Sequence, residues 1–391
     1  MPKPGSENYR FSLTLLIGIA VLSAAAPFSI DMYLPALPGI AADFGTTQPM
    51  VQLTLSGFVI GLAVGQLVIG PLSDALGRQK LMIAGAVLAL VAAIAAALAP
   101  TIWVLITARV LQGLGSGACM VASRAVIPDL ASGRRAAKAF AAMMSIQTLA
   151  PVLAPVVGGL LVEPIGWRGL FWVLAGLALV QLGSAVFIIP ESRPAHLREK
   201  VTVTSVARNY RYVIANAGFR GYLLVVVCAF GALFSYLSAS SFMIQGEMGY
   251  SPRTFSFIFG FNAVGLLLGN IINARLIDRF DPRYLVRYAA GAQLLAAGAL
   301  LAVVGTGGAP EGVIFALLFL FVSHQGFVQA NSMSLGTLQV RSRAGGASAL
   351  MGFFQFVVAG AIGPVVGLGS SAGVAMSLSM AVVASVSVVY L

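Results

Sequence analysis

Charge is scarce in this sequence, and the scarcity excludes most soluble folds. Only 9% of the 391 residues are Asp, Glu, Lys or Arg, against about 25% in ordinary globular chains. The two cysteines, Cys119 and Cys228, both stand in apolar stretches, so a disulfide framework and a thiolate metal site are excluded. The two histidines, His196 and His324, lie far apart in the chain, and no constellation of His, Asp, Glu and Cys marks an enzyme centre. There is no G-x-x-x-x-G-K-[ST] loop to cradle a nucleotide phosphate. No cofactor is expected.

What is abundant is apolar surface, 59% of residues, together with 44 glycines. A bilayer-crossing helix needs about 20 predominantly apolar residues, and glycines let such helices approach closely in lipid. The chain has room for twelve spans, expected at 11–38, 49–73, 81–99, 102–125, 139–162, 168–190, 219–246, 254–275, 286–305, 312–334, 346–368 and 371–391. The start, Lys3 and Arg10 before an apolar run, resembles a signal peptide. The run continues past Asp31 into a Pro-rich segment, which reads as an uncleaved first span.

The net charge of +11 suggests nucleic acid until the charges are placed. With the N-terminus inside, every Lys and Arg except Arg109, Arg168 and Arg253 falls on the cytoplasmic face, while Asp43, Glu163, Glu247 and Glu311 fall outside. This is the positive-inside pattern. The basicity orients a membrane protein, and no nucleic-acid partner is expected. The longest polar stretch, from Glu191 to Arg220, reads as a cytoplasmic linker containing His196 and a surface-lying amphipathic helix. It divides a first bundle, 1–190, from a second, 219–391, with 191–218 between them. Pro155-Val-Val-Gly158 recurs as Pro364-Val-Val-Gly367, and Gly70…Asp74…Arg78 has an echo in Gly269…Asp278-Arg279. Such repeats fit six-plus-six helices about a central cavity. The last span ends at Leu391 without a polar tail, from which a shortened chain is expected.

Two charges stand deep inside expected spans, where each costs about 2.5–3.5 kcal/mol on insertion scales. Asp31 sits in Pro27-Phe-Ser-Ile-Asp-Met-Tyr-Leu-Pro35, where prolines bend the helix. Burial disfavours a carboxylate's charge and a neighbouring guanidinium favours it, so an acid held between the two can load and release a proton. Arg109 leads Arg109-Val-Leu-Gln-Gly-Leu-Gly-Ser-Gly117, which puts Gln112, Gly113 and Ser116 on its face. Asp31 is its natural partner, directly or through a water or a carbonyl. In the fifth span, Pro151 and Pro155 kink the helix, and Gly158 and Gly159 permit close contact.

The string Gly70-Pro-Leu-Ser-Asp-Ala-Leu-Gly-Arg-Gln-Lys80 resembles the signature loop between helices two and three of the major facilitator superfamily. With Arg109-x-x-Gln112-Gly113, the Pro155…Gly158-Gly159 motif, Asp31-Met-Tyr-Leu-Pro-Ala-Leu-Pro38 and Trp167-Arg168, the chain resembles that family's drug:proton antiporters, in particular the bicyclomycin/chloramphenicol-resistance exporters. The resemblance implies an all-α integral membrane fold of two pseudo-symmetric six-helix bundles, alternating access, protons as coupling ion and a monomer in the bacterial inner membrane with both termini cytoplasmic. It implies that Asp31 carries the proton, that Arg109 and Gln112 tune it, and that Gly70, Asp74, Gly77 and Arg78 latch the cytoplasmic side. Arg78 would pair with Asp129, and Asp74 would cap the eleventh helix. Ala75 stands where the family loop often carries a base.

For the substrate, a small amphiphilic drug, the expected contacts are Asp31, Tyr33, Arg109, Gln112, Phe234, Tyr236, Met243, Asn262, Phe353 and Phe356, with Phe354 beside them. His324 reads as a hydrogen-bonded core histidine, with a proton relay as the alternative, and Glu247 as a rim residue. A proton-coupled importer or uniporter on the same fold is the alternative function. A membrane enzyme or a transport-dead sensor lacks supporting residues.

Overall fold

The computed structural model describes residues 13–194, 196, 198 and 203–391. Lys3, Arg10 and Lys200, and the start of the first expected span, lie outside the described residues. Those described are almost entirely helical: α1 Leu13–Asp31, α2 Leu37–Asp43, α3 Gln48–Leu76, α4 Arg78–Ala97, α5 Ile102–Leu130, α6 Gly133–Gly183, α7 Val203–Ala215, α8 Ala217–Ser241, α9 Pro252–Leu276, α10 Pro282–Thr306, α11 Glu311–Leu338, α12 Ala344–Gly367 and α13 Ala372–Tyr390. Lipid offers a backbone no hydrogen-bond partner, and a helix satisfies its own.

Eleven stretches among the described residues are long and apolar enough to cross a membrane. One of them, Gly133–Ile188, is about twice the length a bilayer requires. It bends at Gly166, whose φ of 67° lies outside helical geometry, just after Pro164. Its two arms are separate spans, which makes twelve. The first span is broken as well. Pro35 lacks an N–H to continue the ladder, so α1 stops at Asp31, a 3₁₀ turn covers Leu34–Ala36, and α2 follows. Asp31 therefore stands at a helix end.

Helices α1 to α6 pack on one another, as do α8 to α13, and the two groups meet chiefly where α3 crosses α12 and α6 crosses α9. Backbones come close at these crossings and within each group. A Cβ added to Gly113 of α5 would run into the Phe58 carbonyl oxygen of α3, and one added to Gly61 would meet the backbone of α5. The amphipathic linker helix is α7. It joins the two groups at the basic face, where the Tyr210 hydroxyl donates to the Leu67 carbonyl at 3.1 Å and Arg343 donates to Asn209 at 3.0 Å. At the opposite face, Glu247 accepts from the Ala372 and Gly373 amides at 2.5 and 3.1 Å, an anion at the positive end of α13. It is a helix cap, not simply a rim residue. The hydrogen bond from Tyr250 to Glu311 raises the exposed phenol above its usual range.

The turn expected between spans two and three shrinks to one residue. Gly77, at φ 102°, joins α3 directly to α4, so Arg78 begins a helix instead of sitting in a loop. Its guanidinium bridges Asp74 at 2.6 Å and Asp129 at 3.0 Å, and it also donates to the Ser73 hydroxyl. Asp129 accepts from Ser192 at 2.8 Å, and the Arg78 amide donates to Glu191 at 2.9 Å. A Cβ on Gly77 would meet the Glu191 carboxylate and the Arg198 guanidinium, which lie 3.7 Å apart. Gly70 sits about two turns before Gly77, its carbonyl accepting from Ser73 at 2.8 Å. Asp74 does not cap the eleventh span. That helix, α12, has Arg343 at its N-cap position and no side-chain cap, and the Asp74 carboxylate is held by Arg78, four residues on across the Gly77 break.

Two outcomes follow from this packing. Gly113→Ala must displace backbone and is expected to cost about 1–3 kcal/mol as overpacking. Gly176→Ala, with open space around the added carbon inside α6, serves as the control that leaves the unfolding temperature in detergent the same or raises it, since Ala is the better helix former. In the basic-face turn, the Asp129 side chain is 14% exposed and that of Asp74 is 37%. Asp129→Asn breaks the more enclosed pair and should approach the loss of about 3–5 kcal/mol seen for buried pairs, whereas Asp74→Asn stays nearer the roughly 0–1 kcal/mol of solvated ones. Thermal unfolding of both variants checks the order.

Candidate functional site

Between the two helix groups lies a half-open cavity of about 500 Å³, the size of a small-molecule site. It runs from Asp31 and Tyr236 towards Arg124, Gln147, Met333 and Ser348, the direction of the basic face. Its far end is sealed by contacts between the groups. Gln52 donates to the Ser238 carbonyl at 3.0 Å and Gln245 to the Pro35 carbonyl at 3.1 Å. Here the Pro/Gly motif finds its place. Pro151 lines the cavity, Pro155 is buried, Gly158 lies against the Met32 carbonyl and Gly159 against the Ser256 hydroxyl of α9.

Arg109 is wholly buried below this seal. Its Nη1 donates to Gln112 Oε1 at 2.7 Å and its Nη2 to the Ser29 carbonyl at 2.9 Å. Its guanidinium carbon lies 4.4 Å from the Tyr33 ring centre, 4.3 Å from that of Phe58 and 5.7 Å from that of Phe171, contacts that favour a desolvated cation. Tyr33 in turn shares a hydrogen bond with Thr54 at 3.1 Å. Ser29 is in the last turn of α1, where carbonyls lack intrahelical partners. A carbonyl thus stands where a direct Asp31 pair was one of the options.

Asp31 forms no hydrogen bond or ion pair among the described residues. It is 5% exposed, and that exposure is to the cavity. Across from it, the Tyr236 hydroxyl accepts from Asn262 at 2.9 Å, and the Tyr236 ring stacks on Phe259 at 5.2 Å. Phe356 meets Phe230 edge-on at 5.3 Å on the wall.

Of the expected substrate contacts, Asp31, Tyr236 and Phe356 line the cavity. Tyr33, Arg109 and Gln112 form a buried layer beneath it, and Asn262 stands behind Tyr236. Phe234 packs beside Gly363 of α12, and Met243 lies past the sealed end beside Gly373. Phe353 is edge-on to Phe354 at 5.2 Å. These three fall off the lining because the wall of α8 is taken by Phe230, Leu233 and Leu237, and that of α12 by Gly352, Gln355 and Phe356. His324 donates from Nδ1 to the Leu320 carbonyl at 2.8 Å, lies between Tyr288 and Phe327, and is absent from the cavity wall.

The lining also holds residues that the sequence reading passed over: Gln66, Arg124, Gln147, Asn270, Gln329 and Gln355. Arg124 was expected at the cytoplasmic end of its span. Instead α5 continues to Leu130 and carries the guanidinium on the cavity wall. The glutamines had a signal, since an isolated polar side chain in an apolar span faces the bundle interior.

The family profile described as Major Facilitator Superfamily matches residues 19–364. An uncharacterized MFS-type transporter, YdgK, of Bacillus subtilis (strain 168) is 32% identical over 96% of this chain and 93% of its own. A bicyclomycin resistance protein homolog of Haemophilus influenzae is 28% identical over 92% and 90%. A multidrug resistance protein, MdtL, of Escherichia fergusonii is 30% identical over 84% and 82%. Among solved structures, a bacterial homolog of the human lysosomal transporter Spinster, inward-facing and unoccupied, superposes with a TM-score of 0.74 at 16% identity over 99% of this chain and 96% of that one. Twelve spans among the described residues, around a cavity between two helix groups, and a family match over most of the chain lead to one assignment: this is a membrane transporter, not an enzyme, and it belongs to the Major Facilitator Superfamily.

Proposed function

We propose that the protein is a drug:proton antiporter, exporting small amphiphilic compounds of amphenicol or bicyclomycin type from the bacterial cytoplasm in exchange for an incoming proton. In this reading it works as a monomer in the inner membrane with both termini cytoplasmic, so that the basic face is the inner one. The bundles 1–190 and 219–391 rock against each other while the 191–218 segment tethers them. Relatives named for bicyclomycin and multidrug resistance support the substrate class.

The observation that carries the reading is Asp31, an unpaired carboxylate at the sealed end of a cavity shared by both helix groups. Charged, it is drawn towards Arg109, whose Nε is buried without a partner and whose Nη2 already holds the backbone two residues before it. Protonated, it loses that attraction. A proton arriving from outside and a drug arriving from the cytoplasm therefore oppose each other through linkage. The cavity opens towards the basic face, which supports loading from the cytoplasm.

Proteoliposomes test this directly. For a neutral drug exchanged one-for-one with a proton, each unit of pH difference supports accumulation up to about tenfold. The intact chain should accumulate an amphenicol only when the gradient is imposed, and Asp31→Asn should abolish that accumulation. Equal, gradient-independent flux in both proteins would instead make this a facilitator.

A further inference from the structure

Among the described residues, only two on the cavity wall carry a charge, Asp31 and Arg124. Asp31 is taken up by the proposed function. Arg124 has no role there, and its surroundings are unusual for a cation. Its Nη2 donates to Gln147 Oε1 at 3.2 Å, and Gln147 donates onward to the Ser23 carbonyl at 3.1 Å. Its Nε is buried without a partner, and no carboxylate pairs with it among the described residues. The other polar groups at this end of the cavity are neutral. Gln329 donates to Gln355 at 2.7 Å while its own carbonyl oxygen is unpaired. A guanidinium cannot be neutralised, and an enclosed one with a free donor lacks an anion.

We propose that Arg124 and Gln147 form an anion subsite, and that the amphiphiles the cavity takes include ones bearing a carboxylate or comparable anionic group at one end, which it favours over their neutral counterparts. The proposal rests on the reading of this cavity as the transport site. The position of the second charge narrows the ligand further. Gln147 is tied to Ser23 and Asp31 is eight residues further along α1, so about 12 Å of helix separates the residue that anchors the subsite from Asp31. Between them the wall is apolar, with Leu62, Met120, Phe230, Leu233 and Phe356. The complementary molecule is a zwitterion with a flat apolar body, its anionic end towards the basic face and its amine towards Asp31.

Equilibrium binding to the full chain in detergent, with no gradient present, tests this with ciprofloxacin, a fluorescent aromatic acid with a distal amine, and its methyl ester, which keeps the amine and loses the carboxylate. The intact protein should prefer the acid by about ten- to a hundredfold, the range of a charge-assisted hydrogen bond. Arg124→Gln should erase the preference, and Arg124→Lys should retain most of it. Gln147→Glu, which supplies Arg124 with an internal carboxylate, should erase it as well and stands as the test if Arg124→Gln does not fold. A merely structural Arg124 would change both affinities together. Equal affinity for acid and ester in the intact protein, no binding of either, or an undiminished preference in a folded Arg124→Gln or Gln147→Glu variant overturns the proposal. Loss of the subsite and loss of proton coupling are separable. A protein that discriminates acid from ester but moves neither against a gradient keeps the subsite and loses the antiporter reading, and gradient-driven transport without discrimination does the reverse.

Discussion

Hydrocarbon solvates no charge, so each ionisable group inside a span must be held by the protein or be put to use. Arg109 is the group that is held. Its guanidinium ties the end of α1 through the Ser29 carbonyl, α3 through Phe58 and the second arm of α6 through Phe171. A cation at a helix C-terminus meets the negative end of the helix dipole, and the interaction answers a carbonyl in the last turn of α1, where intrahelical donors run out. Glu247 does the converse at the start of α13. The structure thus places a fixed charge of each sign at a helix end, where backbone dipoles partly replace water.

Asp31 acquires its meaning from this arrangement. It follows the carbonyl held by Arg109 by two residues, at the last position of α1, yet it faces the cavity without a partner of its own. Its charge can change without dismantling the cation's supports. The proton carriage proposed for Asp31 requires that separation, because a carboxylate locked in a salt bridge would surrender its proton chemistry to structure.

The spans, the basic face, the Gly70–Lys80 segment, Asp31 and Arg109 were legible in the sequence because charge and long apolar runs are conspicuous against each other. The cavity wall was far less so. These helices are apolar on nearly every side, and a periodic stripe that would separate packing from lining is missing. Phe234, Met243 and Phe353 read like wall residues and are packing. Gln66, Gln329 and Gln355 read like nothing in particular and are wall. Arg124 was misplaced because the charged residues after it suggested that its span had ended, whereas α5 continues through Pro128 to Leu130. The expected contact of Asp74 with the eleventh span failed for a different reason: Arg78, only four residues on, captures the acid.

The seal at the far end is suited in strength to its task. Among the described residues no ion pair joins the two helix groups. What crosses there is a pair of side-chain-to-carbonyl hydrogen bonds, from Gln52 and Gln245, and glycine contacts such as Gly159 with Ser256 and Gly367 with Gln52. Hydrogen bonds of this kind contribute about 0.5–1.5 kcal/mol each, so parting the seal costs a few kcal/mol. One unit of pH difference supplies about 1.4 kcal/mol per proton. Neutral amides and close backbones keep the two states within reach of the ion that is proposed to switch them.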